Sequence, residues 1–171
     1  MESIGGTAAT QWDASALQDD SIIAWYTGTG PYTVYIGSKV IMNANLDSSY
    51  LFSYIGYDSS CKVTGDTVDN PLIKNLDLLR TNNVNNMSYM FNYAGYSKMK
   101  DFSLGDNFKT ENVTNMNHMF AEFGHDAMTS FDLGENFDTK NVTDMAFMFS
   151  SMGYSSQITT FTFGEKFDTR N

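Results

Sequence analysis

The most constraining feature of this 171-residue sequence is a motif that returns every 29 residues. The motif reads Asn-Val-x-x-Met-x-x-Met-Phe, and its three copies begin at Asn83, Asn112 and Asn141. A glycine follows each copy at the same interval, and a fainter copy surrounds Tyr50. A fixed period of this length indicates an array of small units, in which each unit buries its apolar face against its neighbours.

Each unit contains the pattern of a short strand followed by the pattern of a helix. Apolar and polar residues alternate over 130–133, which is typical of a strand with one buried face. The apolar residues of Val142–Phe149 occur at i, i+3, i+6 and i+7. On a helical wheel they fall within an arc of about 120°. The sequence therefore predicts an α/β solenoid with a short parallel strand and one helix in each repeat.

The N-terminal part of the chain lacks the repeat and is rich in β-branched and aromatic residues. Two such runs, 21–26 and 32–36, flank a turn sequence with two glycines and a proline. We interpret residues 12–44 as a β-hairpin or meander that caps the first end of the solenoid. Residues 1–11 are predicted to be a disordered N-terminus.

Residues 45–171 are predicted to form the solenoid itself. Its first unit, 45–71, is degenerate, and a longer loop over 58–72, with the single cysteine Cys61, separates it from the regular units. No cap is evident at the C-terminal end, so we expect the sequence to be truncated there. An open strand edge at that end also allows a dimer.

The composition excludes several classes of partner and activity. With 20 acidic and 10 basic residues the net charge is −10, so neither sequence-independent binding of nucleic acid nor attachment to anionic lipid is expected. No apolar run is long enough to span a membrane. No catalytic, metal-binding or cofactor-binding motif is present, so the chain is predicted not to be an enzyme and to need no cofactor or metal.

Two copies of the repeat resemble a known surface-protein motif. The stretches FDTKNVTDMAFMF (137–149) and FKTENVTNMNHMF (108–120) are similar to the repeats of BspA-type bacterial surface proteins. These repeats also occur in Gram-positive surface proteins and mycoplasma lipoproteins. The similarity covers roughly residues 72–171, with a weaker match over 12–57. The resemblance implies a leucine-rich-repeat-like solenoid that is secreted or on the cell surface, with adhesion to host or matrix proteins as its usual role.

The first candidate binding surface is a repeat position occupied by aromatic side chains. On the predicted helix this position lies about 160° from the centre of the apolar face, so its side chains should point to solvent. A row of exposed aromatic residues is typical of a protein or glycan interface. The alternative is that neighbouring turns, with Tyr96, His125 and Tyr154, fold over them. The residues at this position are Tyr50, Tyr89, His118 and Phe147.

The second candidate is the outward face of the strand ladder, where neighbouring strands would present polar side chains about 4.8 Å apart. Its residues are Asp101, Ser103, Ser130, Asp132, Thr160 and Thr162. A third set of acidic residues has oxygen ligands that calcium prefers, although no calcium-loop spacing is present. These residues are Asp106, Glu135, Asp138, Glu165 and Asp168. For both sets the alternative is a solvated polar face.

The function predicted from these patterns is a non-enzymatic binding domain of a surface protein. Its partner would be a protein or glycoprotein on a host cell or in the matrix. The alternative is a structural spacer or stalk that presents another functional region and has no ligand of its own. The two hypotheses differ in whether this chain alone binds a ligand.

Overall fold

The computed structural model describes residues 11–13, 22–27, 33–38, 41–57, 73 and 75–170. Most of the predicted disordered segment and the predicted loop at 58–72 lie outside these residues. The chain divides into two compact units, Met1–Met42 and Asn43–Asn171. The division falls two residues before the predicted boundary.

The first unit contains a three-stranded antiparallel sheet. Its strands are β1 (Gln11–Asp13), β2 (Ile22–Thr27) and β3 (Thr33–Ser38), and β2 lies between the other two. The rings of Trp25 and Tyr35, paired in register across β2 and β3, stack with their centroids 5.2 Å apart. Aromatic and β-branched residues favour strands because they pack well on a pleated surface. A capping role for this sheet stays a prediction.

Short strands form the regular secondary structure of the second unit. β4 (Met42–Asn43) begins at the last residue of the first unit and ends at the first residue of the second. The strands that lie wholly in the second unit are β5 (Leu79–Arg80), β6 (Asp101–Ser103), β7 (Ser130–Asp132) and β8 (Thr160–Thr162), and a 3₁₀ turn at Leu76–Leu78 precedes β5. β4 pairs with β5. β6, β7 and β8 form a parallel sheet in that order, with Phe102, Phe131 and Phe161 in register.

The predicted α/β solenoid with one helix in each repeat is wrong. The described residues contain no α-helix, and the segments of the Asn-Val-x-x-Met motif consist of turns and coil, with one parallel bridge residue in each. The described part of the second unit is therefore made of small sheets, turns and coil. Within the described part of the chain, no helix is long and apolar enough to cross a membrane.

Hydrogen bonds between neighbouring repeats explain why no helix forms. In an α-helix each backbone N–H donates to the carbonyl four residues earlier in the same segment. Here alternate N–H groups donate to the next repeat instead, over 2.9–3.0 Å. In one segment the donors are Met87, Tyr89, Phe91 and Tyr93, and the acceptors are the carbonyls of Asn115, Asn117, Met119 and Ala121. The intervening N–H groups close turns within the segment, as in Met90 N–H to the carbonyl of Met87 at 3.2 Å.

Left-handed backbone at non-glycine residues also excludes a helix. Two positions of each turn segment have φ between 53° and 61°. They are Tyr50 and Tyr54, Tyr89 and Tyr93, His118 and Glu122, and Phe147 and Ser151. Non-glycine residues adopt this conformation singly and not in helices, and it is the conformation that the third residue of a type II turn requires.

The apolar positions of the motif form the core of the second unit. Val84, Met87, Met90 and Phe91 are fully buried, as are their equivalents in the next repeat. Phenylalanine rings continue the packing from repeat to repeat, because Phe120 stacks between rings of the repeats before and after it. The sheet and the turn segments are therefore joined by one apolar interior.

The last repeat is more exposed than those before it. Phe161 and Phe163 are 37% and 42% exposed, whereas Phe131 and Leu133, which precede them by one repeat, are fully buried. No strand of the described residues pairs with the outer edge of β8. A dimer through this edge stays a prediction.

Candidate functional site

Four rings from successive repeats form one continuous stack on the second unit. We call these residues, Tyr50, Tyr89, His118 and Phe147, the aromatic column. Their ring centroids are separated by 4.8, 4.7 and 5.0 Å in chain order. The first two interplanar angles are 4° and 8°, and the last is 29°. The repeat position selected from the sequence is therefore a physical row of stacked rings.

Backbone hydrogen bonds set the spacing of the aromatic column. Each of the first three members donates its N–H to a carbonyl of the next repeat, and the acceptor residue directly precedes the next ring. The bonds run from Tyr50 to Ser88, from Tyr89 to Asn117 and from His118 to Ala146, over 2.9–3.1 Å. Hydrogen-bonded strands lie 4.7–4.9 Å apart, so rings held at the same point of successive repeats come to rest at stacking distance.

The backbone conformation of the column opposes its formation. All four residues have φ between 54° and 60°, and this left-handed conformation costs about 1–2 kcal/mol for a residue with a side chain. Glycine would adopt it without that cost. Stacked aromatic pairs contribute about 0.5–1.5 kcal/mol beyond their burial, so the three ring contacts offset part of the strain at the four residues.

The aromatic column is accessible to solvent. Tyr50 is 57% exposed and Phe147 is 66% exposed, while the two inner rings are half-buried. Both faces of each inner ring are covered by its neighbours, so the inner rings present their edges. Among the described residues, the alternative in which Tyr96, His125 and Tyr154 cover these rings does not occur. His125 stacks between Tyr96 and Tyr154, and no ring contact within the described residues joins these three to the column.

A second aromatic group was missed by the sequence reasoning. We call it the tyrosine cluster, and it consists of Tyr54, Tyr57, Tyr93, Tyr96, His125 and Tyr154. The signal that could have found it is the recurrence of an aromatic residue one position after the motif glycine, together with the tyrosine two positions before it in two of the repeats. Of this group, only Tyr96, His125 and Tyr154 were considered from the sequence, as the alternative in which they fold over the aromatic column.

Acidic side chains lie against the tyrosine cluster. Asp126 Oδ1 lies 2.5 Å from His125 Nδ1, and Glu122 Oε2 lies 4.0 Å from His125 Nε2. Burial raises the pKa of the Tyr93 phenol above its usual value, and the Glu122 carboxylate raises it further. The pKa of Tyr96 is raised by burial and then by Asp126 and Glu122. Both phenols therefore stay neutral donors beside negative charge.

A polar network supports the middle of the aromatic column. The side chain of His118 contacts the amide oxygen of Asn117, whose Nδ2 donates to both oxygens of Asp144 at 3.2 Å. The backbone N–H of Ala146 is the main cause that lowers the pKa of Asp144, followed by Asn117. The carboxylate thus stays ionised and holds the amide that faces His118.

The outward face of the strand ladder carries two rows of polar side chains, and its two aspartates accept hydrogen bonds from nearby groups. Register brings Asp101, Ser130 and Thr160 into one row, with Ser103, Asp132 and Thr162 in another. Asp101 Oδ1 accepts hydrogen bonds from Ser130 Oγ at 2.6 Å and from Thr129 Oγ1 at 3.0 Å. Asp132 Oδ1 accepts the N–H of Gly134 at 2.9 Å. One acceptor atom of each aspartate is thus used within the chain, and these side chains do not point toward a common ligand position.

The family of the chain follows from a sequence comparison. Residues 66–169 match the family DUF285, described as a Mycoplasma protein of unknown function. The match spans more than half of the chain and includes all three copies of the motif. The chain belongs to this family. No curated protein and no solved structure matches it.

The groove and the acidic side chains of this DUF285 chain are weaker candidates for a binding site, because they bring together few of the residues predicted from the sequence. A shallow groove of about 320 Å³ lies between Asn75–Asp77 and Ser103–Asn107, and Ser103 is its single member from the predicted strand face. The described residues contain no group of three or more histidine, cysteine or acidic side chains placed to bind one metal ion. The aromatic column and the tyrosine cluster are therefore the candidate binding surfaces of this DUF285 chain.

Proposed function

We propose that this DUF285 chain is a non-enzymatic, BspA-like binding domain of a surface or secreted protein. Its partner would be a protein or glycoprotein on a host cell or in the matrix, and the aromatic column would be the contact surface. The observation that carries the proposal is the continuous stack of four accessible rings from four successive repeats.

The geometry of the column favours a protein partner. Aromatic residues are enriched at protein interfaces and supply a large share of binding energy there. The inner rings offer edges and polar atoms rather than faces, so a partner that stacks on ring faces has access mainly to the two end rings, Tyr50 and Phe147. The stack is better matched by an extended protein surface that contacts the ring edges and the phenol groups along the row.

The spacer hypothesis draws support from the same contacts. Rings stacked across repeats also strengthen the attachment of each repeat to the next, which is what a stalk requires. That role does not need the rings to be accessible, and interior phenylalanine stacks already perform it. The exposure of Tyr50 and Phe147 at the two ends of the column favours a contact outside the chain.

The test is binding of the full chain to a panel of matrix and serum glycoproteins by surface plasmon resonance at about 0.15 M salt. A Tyr89→Ser/Phe147→Ser variant is expected to weaken saturable binding by about 30-fold, because two aromatic anchors each contribute at least about 1 kcal/mol. Thermal melting followed by circular dichroism would establish that the variant is folded.

An Asp101→Asn/Asp132→Asn variant is the matched control, because it changes two exposed or half-exposed side chains on the strand face and keeps their hydrogen-bonding shape. We expect its binding to equal that of the unchanged chain. Loss of binding in this control but not in the ring variant would move the site to the strand face. A folded, monomeric chain that binds no member of the panel would favour the spacer.

A further inference from the structure

The tyrosine cluster has the geometry of a site for a positively charged group. Tyr54 and Tyr93 stack at 5.0 Å, and the ring of Tyr57 stands nearly perpendicular to both, with centroids 5.4 Å away. Tyr57 meets Tyr96 in the same way at 5.1 Å. Tyr54 and Tyr57 are exposed. Rings at these distances pack directly against one another, so a cation can approach only the outer, exposed parts of Tyr54 and Tyr57, where it is attracted to the negative ring face.

A carboxylate takes the place of the next ring in this row. Glu122 occupies the repeat position of Tyr54 and Tyr93, and it shares their left-handed backbone, with φ of 58°. Its N–H donates to the carbonyl of Ser150 at 2.8 Å, so it is fixed in register with the rings. The row of tyrosines therefore ends in a negative charge at the position where a further ring would stack.

The negative charge beside the cluster is not neutralised by a lysine or arginine of the described residues. The ion-pair partner of both Glu122 and Asp126 there is His125, whose charge depends on pH. Glu122 is half-buried and Asp126 is exposed. The net charge of −10 adds a field that attracts basic molecules from a distance.

We propose that the tyrosine cluster, with Glu122 and Asp126, binds a basic segment of a partner protein that carries guanidinium or ammonium groups. The exposed rings supply cation–π attraction to one basic group and the two carboxylates supply ion pairs to another. This inference rests on the proposed function and names the chemistry of the partner. It adds a second contact surface to the aromatic column.

The test uses isothermal titration calorimetry of the full chain at about 0.15 M salt. The probes are a short peptide of alternating arginine and glycine, the same peptide with glutamine in place of arginine, and vesicles of phosphatidylcholine. We expect saturable binding of the arginine peptide alone. A Glu122→Gln/Asp126→Asn variant, which keeps the side-chain shapes, should weaken it by about 10-fold.

A Glu135→Gln/Glu165→Gln variant is the matched control, since it removes two exposed negative charges elsewhere on the same unit. Its binding should change by less than about 2-fold if the effect is local. A Tyr93→Leu variant should also lose affinity for the arginine peptide, which tests the rings separately from the carboxylates.

Equal losses in the two charge variants would overturn the proposal in favour of a general electrostatic attraction. Equal binding of the glutamine peptide, or no binding of the arginine peptide, would also overturn it. Binding of the vesicles alone would assign the rings to a choline headgroup. If the matrix partner is lost in the Tyr89→Ser/Phe147→Ser variant but kept in Glu122→Gln/Asp126→Asn, the proposed function stands and this inference fails.

Discussion

Replacing Phe120 with alanine is expected to lower the free energy of unfolding by about 3–5 kcal/mol. The ring is fully buried and stacks between Phe91, at 5.2 Å, and Phe149, at 5.8 Å. It also meets Phe123 and Phe131 edge-on, at 5.5 and 5.1 Å. Its removal leaves a cavity that three neighbouring repeats share, so relaxation of one repeat cannot fill it.

The measurement is urea unfolding followed by circular dichroism, with Phe147→Ala as the matched control. The control removes the same ring from a position that is 66% exposed and is expected to cost less than about 1 kcal/mol. If the two variants lost similar free energies of unfolding, the result would contradict a core that continues from repeat to repeat through stacked phenylalanines. It would also weaken the distinction between interior stacks that stabilise and surface stacks that bind.

The residues that form the interior could be predicted from the sequence, whereas the path of the backbone could not. Apolar residues spaced i, i+3, i+6 and i+7 are expected on one face of a helix. A chain of consecutive turns returns the same positions to the interior, as the burial of Val84, Met87, Met90 and Phe91 shows. Spacing alone therefore does not decide between a helix and turns that bond to the next repeat.

The signals that distinguish these two paths are absent from the local sequence. Left-handed backbone is normally indicated by glycine or asparagine, and here it occurs at Tyr89, Tyr93, His118 and Glu122. These residues adopt it because hydrogen bonds and ring contacts from adjacent repeats hold them there. Such contacts become visible only when the repeats are placed side by side.

The candidate site could be predicted only in part, because contacts between equivalent repeat positions follow from the sequence repeat but contacts between different positions do not. Repetition of one aromatic position was enough to select the aromatic column, since equivalent residues of stacked units become neighbours. The tyrosine cluster combines two repeat positions, those of Tyr93 and Tyr96, with a carboxylate at Glu122. Its members are related by the turn geometry, which the helical interpretation placed differently.

Replacing Thr110 with valine is expected to lower the free energy of unfolding by about 2 kcal/mol. The buried hydroxyl of Thr110 donates to the carbonyl of Asp138 at 2.9 Å and accepts the N–H of Asp138 at 2.7 Å. Thr81 and Thr139 make the same pair of bonds to Lys109 and Asp168. Valine keeps the volume and leaves two backbone groups without their partner, at about 1–3 kcal/mol for each group that is fully buried.

The matched control is Thr114→Val, which removes an exposed hydroxyl that donates to the carbonyl of Asn85 at 3.1 Å. The carbonyl of Asn85 still accepts a hydrogen bond from the backbone N–H of Thr114, at 2.8 Å, in this variant. We therefore expect the free energy of unfolding to fall by less than about 0.5 kcal/mol. Urea unfolding of the two variants compares a hydroxyl that is required between repeats with one that is redundant. Equal losses would mean that the register depends on the backbone bonds and the phenylalanine stacks alone. A larger loss for Thr110→Val would assign the recurring threonine a specific role in joining each repeat to the next.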